Sequence, residues 1–342
     1  MLGEVLESSL WGGLAPGPEP LFLLLAALAI DAALGLLPGR GRSLARIDRL
    51  VLGVVGWFEP RLNRIQRSGM TRAVRGLILT LILVAAALLA AGAIAWAGHA
   101  LPFGWLLVLA LLLLVLAQSQ PLAAAGVLLP YLPDAVGKFP AHREWPLLAA
   151  YPAPPILTRD VYAAARGAVE HLAGRFAEGV VGPVFWFVLL GLPGLLIYRI
   201  LATAGRAFGH TDPRYAYFGF VPARLNEAFG FLPLRLAAAL LVVAALFAPR
   251  ARPQRALRCV FAQAPGHPAR GLAWPVASMA GAFGFALAGP RGETTGYAWL
   301  GPADGRARLG APDVRQARYL VVVGCLLNGL VVALIALARA TL

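Results

Sequence analysis

Lysine is almost missing from this chain: Lys138 is the only one, and the other basic residues are arginines. Charge of any sign is scarce, at 13% of 342 residues against 59% apolar, and the mean hydropathy is +0.73. That shortage excludes an ordinary water-soluble globule, so lipid must supply the solvent. Cysteine is scarce too. Cys259 and Cys325 lie far apart, with no second cysteine or histidine at zinc-ligand spacing, which excludes metal–thiolate chemistry. The five histidines are scattered without an H-E-x-x-H run, and each reads as a satisfied polar group. No G-x-x-x-x-G-K-S/T phosphate loop is present, and the glycines sit in apolar packing contexts. The first residues hold Glu4, Glu7 and Glu19 but no basic residue, so they lack the charged start of a secretory signal and the first apolar run is expected to stay as an anchor.

What the chain does carry is arginine, placed in loops between apolar runs, for a formal charge of +14. In those positions the charge fits the anionic inner leaflet of a membrane, and nucleic acid is not expected as a partner. The candidate spans are 21–37, 77–97, 103–117, 180–201, 231–248 and 319–337. Most approach the roughly 17 to 25 residues that cross about 30 Å of hydrocarbon. The stretch 271–289 is too polar and glycine-rich to face lipid alone, but its "MAGAFG" run suits close helix packing. The sequence therefore predicts an all-α, polytopic integral membrane helical bundle, a single domain over 1–342, multi-pass in a bacterial inner (cytoplasmic) membrane.

Loop charge sets the expected orientation. The connector 38–76 holds nine arginines, from Arg40 and Arg42 to Arg72 and Arg75, and reads as cytoplasmic. Two further crossings return 118–179 to the same side. Beyond that point parity fails. The connectors 202–230, 249–270 and 291–318 are all rich in arginine, yet single-pass helices between them would alternate their sides. A broken or re-entrant helix resolves the conflict, and "GLPG", Gly191 to Gly194, is its expected place. Proline removes a helical donor and crowds the preceding turn, while the glycines permit a reversal. A kinked but complete span is the alternative.

Four stretches then become specific: "GVVGPVFWFVLLGLPGLLIYR", "DPRYAYFGFVPARLNEAFGFLPLRL", "WPVASMAGAFGFALAGP" and "YAWLGP", in that order. Together they resemble the CobD/CbiB family of cobalamin-biosynthesis membrane proteins. The similarity is strongest over 170–236, resumes over 267–301, and is weaker over "LAIDAALGLLP". The resemblance implies an enzyme that activates a carboxylate of adenosylcobyric acid with ATP and Mg²⁺. It would then join that carboxyl to aminopropanol phosphate or a related amino alcohol, giving adenosylcobinamide or its phosphate, with a corrinoid as the bound partner. The acids it implies for catalysis are Asp31, Asp160, Glu170, Glu178 and Glu227. For substrate binding it implies Arg159, Arg175, Tyr215, Arg224, Arg235, His267 and Trp274. Metal ligands are not assigned.

Some of these have a separate physical reading. A carboxylate near a helix centre costs about 2.5 to 3.5 kcal/mol on insertion scales, so Asp31 is expected to face the bundle or to snorkel toward Arg40 or Arg42. Asp160 follows the proline-rich "YPAPPI" and also suits a helix N-cap. "VFWF", Val184 to Phe187, suits anchoring at the membrane boundary better than stacking on a corrin.

The departures from the family pattern are informative. "EHLAGRFAEG" stands where the family reads E-x-L-A-E-N-x-x-D-G, so Gly174 and Arg175 replace Glu and Asn. "ATAG" replaces N-T-x-D, "RLNE" replaces R-L-D-D, and "ARGLAWPV" loses the Ser, Asn and Glu of S-P-N-x-G-W-P-E. Magnesium prefers hard oxygen ligands. Two like charges 4 Å apart repel by about 4 kcal/mol at an effective dielectric near 20, so Arg175 favours an anion over a metal. Two readings stay open: a divergent but active ligase, and a catalytically degenerate AmpE-like paralogue with a binding, regulatory or assembly role. A transporter is less favoured, because the chain has no second matching helix break.

Overall fold

The computed structural model describes residues 19–35, 46–116, 118–133, 161–208, 214–289 and 298–341. Among them, helices α1 Pro20–Gly35, α2 Arg46–Leu62, α3 Gly69–Ala100, α4 Trp105–Val115 and α5 Ser119–Leu128 form the first half. The second half holds α6 Val161–Phe176, a π-helical turn Ala177–Val181, α7 Gly182–Phe208, α8 Phe220–Ala244, α9 Pro253–Gln263, α10 Ala273–Phe283 and α11 Ala311–Ala340. No strand forms among the described residues; two isolated bridges, Phe285 with Arg306 and Leu287 with Leu300, pin the loop after α10. The all-α expectation holds.

Among the described residues, five helical stretches are long and apolar enough to cross a membrane: Gly69–Gly98, Trp105–Gly126, Tyr162–Phe208, Phe220–Ala244 and Ala311–Ala340. They carry lipid-type side chains outward, as at Leu89, Leu232, Leu326 and Leu337, and bury small or branched ones inward. Helix α1, expected as a span over 21–37, is a shorter apolar helix of 16 residues.

The third stretch is not one rod. At Gly191 the backbone turns to φ 65 and ψ −150, a region that only glycine enters without strain. Three rungs show that the chain doubles back there. A Cβ on Gly194 would lie 2.6 Å from the Trp186 carbonyl oxygen; one on Gly182 would overlap the Tyr198 ring; and Arg206 reaches Glu178 at 2.6 Å. Residues 28 apart would stand about 42 Å apart on a straight helix. The break therefore makes a helical hairpin whose arms, 182–190 and 192–208, run antiparallel, and the complete kinked span is ruled out. Its exposed tip carries Leu189 and Leu190.

Helix α8 packs along this hairpin and against α10 and α11. Helix α10 behaves as its small residues suggest, with most of its length buried and Ser278 donating to the carbonyl of Ala238 on α8. A Cβ on Gly281 would fall 2.6 Å from the Ala256 Cα of α9, so this close crossing needs glycine. The arginine-rich connector 38–76 was expected as a loop but contains α2. That helix buries Val51 and Val55 against Phe208 and Phe218, while Leu50, Val54 and Trp57 form an outward apolar stripe at helical spacing. A helix with apolar residues outward and charged ends suits the membrane interface.

Candidate functional site

The hairpin's return places its two polar ends together, and α2 closes over them. Asp48, in the first turn of α2, accepts a hydrogen bond from Arg199 Nη2 at 2.9 Å, from Thr203 Oγ1 at 2.9 Å and from Arg175 Nη2 at 3.3 Å. Arg206 lies 3.7 Å from the same carboxylate and binds Glu178 through its other nitrogen. Three guanidiniums thus surround two carboxylates, for a net charge of +1. Arg199 is fully buried, and its Nε and Nη1 have no hydrogen-bond partner among the described residues. Arg206 is 31% exposed, so the cluster reaches the surface at that residue.

Burial alone would push the Asp48 carboxyl up; Arg199, Arg206, Arg175 and the Thr203 hydroxyl outweigh it and hold it below the usual carboxylate value. A depressed folded-state value stabilises the protein above the unfolded value of about 3.9, and that contribution is lost as pH falls through the lower folded one. The stability gap between wild type and Asp48→Asn should therefore be constant from pH 7 to about 5 and shrink below about 4. Thermal unfolding across that range checks it; a gap that ignores pH would mean that the carboxylate charge is not what matters.

The sequence candidates separate into several places. Arg175 and Glu178 belong to the cluster just described. Asp31 is buried and accepts from Ser119 N at 3.0 Å and Ser119 Oγ at 2.8 Å, facing the bundle and tying α1 to the start of α5. Glu170 accepts from the backbone N–H of Ala288 at 2.9 Å, supporting the loop after α10. Glu227 pairs with Arg224 at 2.7 Å and with Arg270 near the surface. Arg235 lies between Phe231 and Trp274, its guanidinium 3.6 and 4.3 Å from their ring centres. Tyr215 packs on Phe208, with Arg214 beside it. Arg159, Asp160 and the snorkelling partners Arg40 and Arg42 lie outside the described residues. No group of three or more His, Cys, Asp or Glu side chains converges as a metal site among the described residues.

His267 is the satisfied polar group that its isolation suggested. Its Nδ1 accepts from Ala269 N at 3.1 Å, which leaves Nε2 to donate to the Ala298 carbonyl at 2.8 Å. His267→Ala is expected to cost about 0.5 to 1.5 kcal/mol of stability by removing these two hydrogen bonds. Thermal unfolding measures this, and unchanged stability with impaired ligand binding would show a binding role instead.

Sequence reasoning missed Asp48, Arg199, Thr203 and Arg206. One signal was available: Arg199 interrupts an apolar run, and ionisable residues in such runs face a bundle or cavity. Asp48 carried no signal, since its role depends on how α2 docks.

The comparisons with known proteins agree with one another. A family model for the CobD/Cbib protein matches residues 24–321. The cobalamin biosynthesis protein CobD of a Sinorhizobium species is 33% identical over 293 residues, covering 80% of this chain and 84% of that protein. The protein of the same name from Brucella melitensis biotype 1 is 31% identical over 318 residues, covering 92% and 96%. That of Rhodobacter capsulatus is 30% identical over 312 residues, covering 86% and 89%. No solved structure matches the chain.

Proposed function

Because this chain belongs to the CobD/CbiB family of cobalamin-biosynthesis membrane proteins, we propose that it works at the amide-forming step of that pathway. The substrate would be the corrinoid adenosylcobyric acid, joined to aminopropanol phosphate or a related amino alcohol with ATP and magnesium. The protein would sit in a bacterial inner membrane with the arginine cluster open to the cytoplasm. The corrin carboxylate would take the γ-phosphoryl group of ATP, releasing ADP and giving an acyl phosphate; the amine would attack the acyl carbon, forming the C–N bond as phosphate leaves and the nitrogen loses a proton. Such a reaction needs anions held in place before it needs anything else.

The observation that carries this reading is the union of Arg175, Arg199 and Arg206 at the mouth of the hairpin, with Thr203 beside them. Planar guanidiniums suit phosphates and carboxylates. The family departures at Gly174, Arg175 and 202–205 fall at or beside this place, where Gly205 also meets Asn226 across a close approach. They exchange acidic and amide side chains for one cation, Arg175, and small residues. Magnesium fits the described residues poorly, since Asp48 and Glu178 are both committed to arginines and no third donor converges with them. No step is therefore assigned to a metal here.

The dispersal of Asp31, Glu170, Glu178 and Glu227 among separate partners favours a second reading, a paralogue that binds the family's anionic ligand without turnover. Complementation of a strain lacking its corrinoid amide ligase, paired with ATP-dependent conversion of adenosylcobyric acid by purified protein, separates the two. Growth and conversion support the ligase; folded protein without conversion supports the paralogue.

A further inference from the structure

We propose that Asp48 is a built-in plug: its carboxylate occupies a phosphate site made by Arg175, Arg199, Arg206 and Thr203, and α2 is the lid that carries it in and out. The inference deepens the anion-binding reading above by naming the ligand group and the contact that competes with it.

Charge and hydrogen-bond capacity both point to phosphate. Glu178 neutralises one of the three arginines through Arg206. The two that remain match the roughly −1.5 to −2 charge of a phosphate monoester at neutral pH, whereas one carboxylate leaves a positive charge uncompensated. Asp48 also leaves Arg199 Nε and Nη1 without acceptors among the described residues, in a fully buried position. A phosphate brings three acceptor oxygens, enough to serve those nitrogens, Arg175 and the Thr203 hydroxyl. Asp48 is thus an incomplete substitute.

The fastening of α2 makes it suitable as a lid. Near its C-terminal end, Glu59 takes a two-pronged pair from Arg214 at 3.0 and 3.1 Å, and Asn63 donates to the Arg214 carbonyl while accepting from Arg72. At its N-terminal end, Asp48 is the polar contact among the described side chains. The outward stripe of Leu50, Val54 and Trp57 keeps the helix on the lipid interface as the N-terminal end swings.

The test is titration of inorganic phosphate into the full chain in phosphatidylcholine nanodiscs, with a parallel arm in which phosphatidic acid replaces free phosphate. Wild type is expected to bind phosphate, Asp48→Asn to bind about tenfold more tightly because the closed state no longer competes, and Arg199→Gln at least about thirtyfold more weakly. Stabilisation by phosphatidic acid alone, stronger in Asp48→Asn, keeps the phosphate site and assigns its source to a lipid headgroup. No binding in either arm, or equal affinity in wild type and Asp48→Asn, overturns the proposal. If a variant fails to fold, hydrogen exchange on the wild type decides instead. Phosphate should speed exchange at the N-terminal end of α2 while leaving its clamped C-terminal end unchanged, and bound phosphate with unaltered exchange rejects the lid. Phosphate binding without corrinoid conversion would defeat the ligase reading alone, and conversion without phosphate displacing Asp48 would defeat the plug alone.

Discussion

Gly191→Val is expected to lower the stability of the detergent-solubilised protein by about 3 kcal/mol or more and to abolish anion binding together with it. The residue sits at φ 65 and ψ −150, where a side chain collides with its own backbone, and a β-branched one does so most severely. The strain cannot be relieved locally, because both arms are fixed on either side of the turn. Gly194 lies against the Trp186 carbonyl, Gly182 against Tyr198, and Arg206 against Glu178. Opening the turn would part all three rungs. Thermal unfolding and phosphate titration of the same preparation measure both effects. Gly92→Ala is the control: it lies in α3 with nothing within 4 Å of an added Cβ, and should be neutral or stabilising by up to about 1 kcal/mol. If Gly191→Val matched that control, the reversal at Gly191 would not hold the site together.

The same hairpin shows how much could be read from residues alone. Apolar runs and arginine-rich connectors announced a helical membrane bundle, because lipid tolerates few other backbones. "GLPG" announced a break, and the parity of arginine-rich loops indicated that the break reverses the chain. What could not be read was pairing across distance. Nothing local in "RIDR" says that Asp48 will meet Arg199, 151 positions later. Nor could spacing show how Asp31, Glu170 and Glu227, alike as acids in matching motifs, would be partnered: by a helix start, a loop amide and a surface ion pair. A carboxylate's role depends on which donors the fold turns toward it, and sequence spacing is silent on that.

Asp48 and Arg199 should therefore show strong coupling when both are changed. Asp48→Leu alone removes the acceptor from a fully buried guanidinium and raises the cluster from +1 to +2, a situation that costs about 3 to 5 kcal/mol. Arg199→Met alone leaves Asp48 with Arg175, Arg206 and Thr203, so its cost should be smaller. The double variant loses one charge of each sign, returns the cluster to +1 and replaces a desolvated pair by apolar side chains, an exchange that is often close to neutral. It should be more stable than Asp48→Leu by about 2 kcal/mol or more, measured by unfolding in identical detergent. Phosphate separates the variants a second time. It should restore stability to Asp48→Leu, whose three arginines remain, and do much less for the double variant, which lacks the donors that only Arg199 supplies. Strictly additive costs, with equal rescue by phosphate, would mean that the 2.9 Å contact between these residues carries no energy of its own.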